Sequence, residues 1–376
     1  MYTRTLKPVE DKSFFLFGPR GTGKTTWVKT SYPEAIYLDL LRSELFTRLI
    51  SNPSRLEQYI SPGYQGYVVI DEVQRVPELL NEVHRLIEER KIKFILTGSS
   101  ARKLRRGGYN LLAGRAMSYQ MYPLTSIEMG DNFNLARGVV RGMLPMAQVD
   151  GYDEYLRSYI QTYLEQEIMQ EGLTRNLSIF ARFLEVASFS QGQLLNMASI
   201  SRDVGAGRKA VTGYFNILQD LLIGYLIRPF TKRSKRRLVS HSKFYFFDCG
   251  VYRAIRPIGP LDVDDEVSGI SAESLVLSQL VANNDLLKLG YEVNYYRTAS
   301  GVEVDFVLYG EKGLLAIEVK SSDKFKEEMI SGLKRFKLDY PEAKLFLLYG
   351  GSQELYVDGV RVMPLEKALR EMDKWL

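Results

Sequence analysis

Short apolar runs alternate with amphipathic stretches through the first 120 residues. Phe14–Phe17, Ala35–Leu38, Tyr67–Ile70 and Phe94–Leu96 are continuously apolar, as strands buried on both faces of a parallel α/β sheet require. From about 150 to 225 the period turns helical, as in Tyr155–Ile160 and Phe183–Ala187. Two strand-like runs follow, Gly224–Pro229 and Lys243–Phe247, flanking a basic loop; residues 257–270, rich in Pro, Gly and Asp, read as a linker. The last hundred residues return to mixed α/β. The pattern predicts a helix near 271–288, strands near 291–297, 302–308 and 314–319, a helix near 324–338 and a strand near 344–349.

A chain of 376 residues is too long for one ordinary core. With 45% hydrophobic and 25% charged residues it has a globular composition. No apolar run approaches the roughly 20 residues of a membrane span, and the polar N-terminus does not read as a signal peptide. One cysteine, Cys249, and two histidines exclude a disulfide framework and argue against structural zinc. These features predict a cytoplasmic protein without membrane partners. The net charge of +5 is modest, but one short segment later in the chain is very basic.

Gly18-Pro19-Arg20-Gly21-Thr22-Gly23-Lys24-Thr25, followed by Thr26, matches the GxxxxGK[ST] phosphate-loop pattern between a strand and a helix. Its glycines let successive amides turn toward phosphate oxygens, and the following helix presents its positive end to the same anion. Lys24 would neutralise the β/γ-phosphates of ATP, and the Thr25 hydroxyl would ligate Mg2+. The Tyr67–Ile70 strand delivers Asp71 and Glu72 at its carboxyl end, where ligands of open α/β sheets bind. Asp71 is expected to hold magnesium through its water shell. Glu72 is expected to deprotonate the attacking water. A third strand ends in Thr97-Gly98-Ser99-Ser100, where Thr97 or Ser99 is suited to sense the γ-phosphate. Arg115, in Leu112-Ala-Gly-Arg115, is the preferred candidate for an arginine that stabilises transition-state charge, and Arg102, Arg105 and Arg106 are alternatives. An arginine acting in trans requires an oligomer.

Residues 177–222 predict three helices, the last opening with Arg208 and Lys209 after a Gly-Ala-Gly turn, as in a helix-turn-helix. The loop that follows carries Lys232, Arg233, Lys235, Arg236 and Arg237 between two strands. It looks like the wing of a winged-helix domain, suited to DNA phosphates. The alternative is a solubilising loop or a protein-contact surface.

Farther on, Glu303 and Asp305 lie two apart on one strand, and Glu318 and Lys320 two apart on the next, with Glu273 early in a helix. This order matches the core of PD-(D/E)xK nucleases. Asp305 and Glu318 would hold a second divalent metal, with Glu273 as a candidate third ligand, and Lys320 would position or help deprotonate the water that attacks a phosphodiester. The proline usual before the aspartate is Val304 here. A catalytically idle nuclease fold remains the alternative.

Taken together, Gly18–Thr25, Val69–Gln74, Leu96–Ser99, Leu112–Arg115, Tyr122–Thr125 with Glu128, Tyr159–Glu167 and the Glu303/Asp305 and Glu318/Lys320 pairs cover nearly the whole chain. The sequence thereby resembles a prokaryotic family of AAA-type ATPases with a C-terminal winged-helix and nuclease-like region. The resemblance implies a P-loop ATPase core over 1–122, a helical lid over 123–172, a winged-helix domain over 173–256 and a restriction-endonuclease-like α/β domain over 268–376. It also implies homo-oligomerisation, with a hexamer as the candidate assembly. The leading functional expectation is an ATPase that remodels duplex or branched DNA, with or without a metal-dependent cut. A nucleotide-gated regulatory switch and an ATP-regulated endonuclease compete with it.

Overall fold

The computed structural model describes residues 2–106, 112, 114–164, 176–232, 240–257, 259 and 264–376. It divides into two compact units. One comprises Arg4–Pro123 with Asp220–Leu222, the other Met1–Thr3, Leu124–Gln219 and Ile223–Leu376.

In the first unit, strands β1 (Ser13–Phe17), β2 (Ile36–Asp39), β3 (Tyr67–Asp71), β4 (Lys93–Gly98) and β5 (Ala116–Gln120) form a parallel sheet in the order β2-β3-β4-β1-β5. Phe15, Phe17, Val68, Ile70, Phe94 and Leu96 alternate along three strands and pack in one cluster with Val83 and Leu86 of the Leu79–Arg90 helix. Truncating one of these phenylalanines to alanine would cost about 3–5 kcal/mol. The apolar pattern anticipates β1 to β4 but not β5. That strand sits at the sheet edge and buries none of its five residues fully, so it carries no continuous apolar run.

The second unit begins with short helices and turns over 126–158 and continues with helices Leu177–Ser188, Met197–Val204 and Arg208–Asp220. Asn176 and Asn196 cap the first two of this trio by accepting from Ile179 N and from Ala198 and Ser199 N. Gly205 closes the second in the left-handed region at φ 71°, which favours glycine there. Strands β6 (Gly224–Pro229) and β7 (Lys243–Phe246) then pair antiparallel. They continue into a mixed sheet with β8 (Glu292–Arg297), β9 (Glu303–Gly310), β10 (Gly313–Lys320), β11 (Lys344–Tyr349), β12 (Leu355–Val357) and β13 (Val360–Pro364). The order is β12-β13-β11-β10-β9-β8-β6-β7.

The segments expected as separate lid, winged-helix and nuclease-like domains thus share one compact unit. Two sets of contacts explain this. Strand β6 pairs with β8 in parallel, Arg228 opposite Asn294, which joins the helix-hairpin region to the C-terminal sheet. The start of the expected lid is tied to the same region. Ser126 N donates to Gln279 Oε1 and Ser126 Oγ to the Leu369 carbonyl at 2.7 Å each, while Arg370 donates to the carbonyls of Gly130 and Phe133. The stretch expected as a linker becomes helical from Asp264, within a helix that runs to Leu286. Among the described residues, no helix is long and apolar enough to cross a membrane.

Candidate functional site

The phosphate loop leaves β1 at its carboxyl end and enters the Lys24–Ser31 helix. Gly21 and Gly23 adopt φ 77° and 92°, left-handed values that a side chain would oppose. Thr22 is buried, and its hydroxyl donates to the Pro19 carbonyl at 2.8 Å. Arg4 braces the loop from outside the motif, donating to the carbonyls of Thr22 at 3.0 Å and Tyr122 at 2.6 Å. Lys24 is buried and donates to the carbonyls of Gly18 at 2.6 Å and Pro19 at 3.0 Å, which holds its ammonium inside the loop. Arg20 is half-buried, and Thr25 and Thr26 are exposed on the first helical turn.

Asp71 ends β3 beside this loop. It accepts from the Thr25 hydroxyl at 3.0 Å and from the hydroxyls of Tyr37 and Thr97. Strands β2, β3 and β4 and the first helix therefore converge on one carboxylate. The Tyr37 phenol is pushed well above its ordinary range by burial and by the Asp71 carboxylate. Thr97 thus binds Asp71, while Ser99, equally buried, lies 3.4 Å from Gln74 Nε2.

Glu72 follows at φ 61° and ψ 43°, a left-handed backbone rare for a glutamate. Strain of this kind gathers where a side chain must point a particular way. Its carboxylate accepts from Gln74 Nε2 at 2.5 Å. Gln74 thus touches both Glu72 and Ser99, and its own Oε1 is buried without a hydrogen-bond partner among the described residues. Sequence reasoning assigned no role to Gln74, Tyr37 or Arg4. Only the Val69–Gln74 motif hinted at the first.

Arg115 is placed differently. It immediately precedes β5, where Ala116 is in register with Ser13 at the start of β1. The loop leaves the other end of β1, about 13 Å away at roughly 3.3 Å per residue. Arg115 also pairs with Glu88. Its backbone therefore lies toward the end of the sheet opposite the phosphate loop. Arg102 is buried, and Arg105 and Arg106 have no described side chains.

In the second unit, Asp305 on β9 and Glu318 and Lys320 on β10 come together as expected, with Glu273 from the Asp264–Leu286 helix. Asp305 accepts from Val319 N at 2.9 Å, and Lys320 Nζ donates to Glu318 Oε1 at 2.6 Å. Glu318 Oε2 is buried without a partner among the described residues. Burial, then the Asp305 charge, pushes Glu318 up to about 8 and Glu273 up to about 7. Two residues from β7 complete the cluster. Tyr245 donates to Glu273, and Lys243 Nζ lies 2.5 Å from Glu303 Oε1 and 3.6 Å from Glu273 Oε1. The Lys243 ammonium is raised above its ordinary value because the charges of Glu273, Asp305 and Glu303 outweigh its burial. Sequence reasoning missed both β7 residues, since nothing local marks them. A cleft of about 330 Å³ opens beside the cluster, lined by Glu303, Glu318, Lys320, Glu328 and Arg335.

Arg208 and Lys209 are exposed at the first turn of their helix. Lys232 is exposed too, paired with Glu292 at 3.0 Å and lying over the Tyr309 ring. Arg233, Lys235, Arg236 and Arg237 lie outside the described residues.

Residues 10–130 match a domain family described as an AAA domain. With the loop and the Asp71–Glu72 strand end, this supports a P-loop ATPase-like class and an ATPase-type enzyme. Residues 133–262 and 268–368 match two domains of unknown function, DUF8612 and DUF4143. An uncharacterized protein of Mycobacterium tuberculosis is 27% identical over 374 residues, covering 94% of this chain and 80% of its own length; one of Mycobacterium bovis matches equally. An uncharacterized protein of Haemophilus influenzae is 22% identical over 316 residues, 79% of this chain and 76% of its own. Among solved structures, a DNA polymerase III gamma subunit-related protein of Thermotoga maritima aligns at 9% identity and TM-score 0.25, covering 56% of this chain and 93% of its own. A protein of Vibrio cholerae aligns at 11% identity and TM-score 0.24, covering 90% and 96%.

Proposed function

We propose that this chain binds and hydrolyses ATP and couples the turnover to DNA, as a remodelling or branch-migration-like motor. The observation that carries the first half is the convergence of Thr25, Tyr37 and Thr97 on Asp71, with Glu72 held next to it by Gln74. The loop amides and Lys24 would cradle the β- and γ-phosphates. Thr25 and Asp71 present adjacent hard oxygens, a donor set that fits Mg2+, and they are the residues that would hold it. The ion supplies charge neutralisation between phosphate oxygens when bound. Glu72 orients the attacking water and takes its proton. Arg115, remote from its own loop, serves a neighbouring subunit, which makes the working form a homo-oligomer, with a hexamer as the candidate.

DNA is proposed from the exposed Arg208 and Lys209 at a helix start and from the basic run at 232–237. The test is ATP turnover with no DNA and with single-stranded, duplex and four-way-junction DNA. DNA should raise it, and Lys24→Ala or Glu72→Gln should abolish it. Turnover indifferent to every form of DNA would remove the motor.

A second reading is a nucleotide-gated regulatory switch with an idle nuclease-like domain. The Lys243 ammonium among the C-terminal carboxylates favours it for that domain. Among the described residues no three His, Cys, Asp or Glu side chains are placed to hold a metal ion. No cleavage step is assigned to Glu273, Asp305 and Glu318.

A further inference from the structure

The C-terminal acid cluster raises a question of charge. Glu273, Glu303, Asp305 and Glu318 bring four carboxylates into one largely buried place. Carboxylates gathered out of water need a cation among them or must take up protons. Around this cluster the cations are built in. Lys320 sits on Glu318, Arg297 reaches the outer oxygen of Glu303 at 3.2 Å, and Lys243 lies between Glu303 and Glu273. Lys243 differs from the other two. Its side chain is only 4% exposed, whereas those of Lys320 and Arg297 are 38% and 36% exposed. It comes from β7, not from the strands that carry the acids, and its position is fixed by the β6–β7 pairing of Ile227 with Lys243.

We propose that the Lys243 ammonium, seated between Glu273 and Glu303, is the resident cation of this cluster, so that the chain takes up no metal there. The proposal concerns only this cluster and does not depend on ATP hydrolysis or DNA contact. A metal drawing on Glu273 and Asp305 would bring two further positive charges beside a buried ammonium. Like charges so close in a low-dielectric setting repel strongly. Removing the ammonium while keeping a polar side chain should reverse the preference, because the acids would then lack their cation.

Mn2+ binding reads this directly by electron paramagnetic resonance, on the nucleotide-free full chain. An Asp71→Ala background keeps the phosphate loop out of the count. With Lys243 intact, no Mn2+ should bind up to about 1 mM, the range that fills weak oxygen-ligand sites. Lys243→Gln should gain one bound Mn2+ with at least about a hundredfold tighter affinity, and adding Asp305→Ala should abolish it. Lys243→Arg, which keeps the charge, should bind none. A folded Lys243→Gln that binds no Mn2+ overturns the proposal. Should Lys243→Gln fail to fold, the parent chain still decides. Mn2+ uptake below 1 mM that Asp305→Ala removes refutes the resident ammonium, and uptake absent from both supports it.

Discussion

Gly98 sits at the end of β4 against the side chain that holds Glu72. A Cβ built there would overlap Gln74 Oε1 and come within 3.3 Å of its Cδ. Gly98 is not among the glycines with positive φ, so Gly98→Ala is acceptable to the backbone and acts through Gln74. The amide must swing away, breaking its 2.5 Å bond to Glu72 and its 3.4 Å contact with Ser99. A hydrogen bond to a charged group is worth about 1.5–3 kcal/mol, and at 1.36 kcal/mol per decade its loss lowers kcat by about 10- to 150-fold. ATP affinity should stay within about threefold, because Lys24 and the loop amides are untouched. Overpacking should cost about 1–3 kcal/mol of stability. The decisive measurement is a cycle of steady-state ATPase rates for Gly98→Ala, Gln74→Ala and the double variant. Gln74→Ala removes the clashing group, so the double variant should match Gln74→Ala alone. Unchanged kcat in Gly98→Ala, or a double variant showing the product of the single effects, would refute Gln74 as the part that positions Glu72.

The other expectations concern the base, the partner subunit and pH. Glu72→Gln should lower kcat by about 10²- to 10⁴-fold while nucleotide affinity, read by fluorescent-ATP titration, is retained. Arg115→Ala and Glu72→Gln, each inactive alone, should regain ATPase activity when mixed, since a mixed assembly pairs an intact base with an intact arginine; no recovery at any ratio would place Arg115 outside the chemistry. Asp248 is buried, accepts from Met143 N at 2.6 Å and Val251 N at 3.0 Å, and is pushed by burial from 3.8 to about 6. The folded state therefore binds this proton more tightly than the unfolded one. Stability should fall by about 2 kcal/mol as pH rises from 4 to 6, and Asp248→Asn should flatten that part of a denaturation-versus-pH curve.

The phosphate loop was legible because its chemistry is local: Gly21 and Gly23 supply the turn, and Lys24 and Thr25 follow in the same eight residues. Asp71 and Glu72 were legible because a four-residue apolar strand points at them. Their partners were not. Tyr37, Gln74 and Arg4 act through contacts spanning up to 118 residues, and a tyrosine inside a strand looks like any core aromatic. Arg115 was recognisable as a motif residue, yet only the β1–β5 register reveals which end of the sheet it occupies. The Asp305, Glu318 and Lys320 spacing placed those side chains together correctly. It said nothing of Lys243, whose role depends on a hairpin laid beside that sheet.

Strand β6 has neighbours on both sides, β7 on one and β8 on the other. A chain divided between the hairpin and the Asp264–Leu286 helix would therefore leave β8 with bare amides and carbonyls along one side, an invitation to stick to another copy. Shared pairing also makes the hairpin a handle. A pull on β6 would travel along main-chain hydrogen bonds through β8 into β9, the strand bearing Glu303 and Asp305.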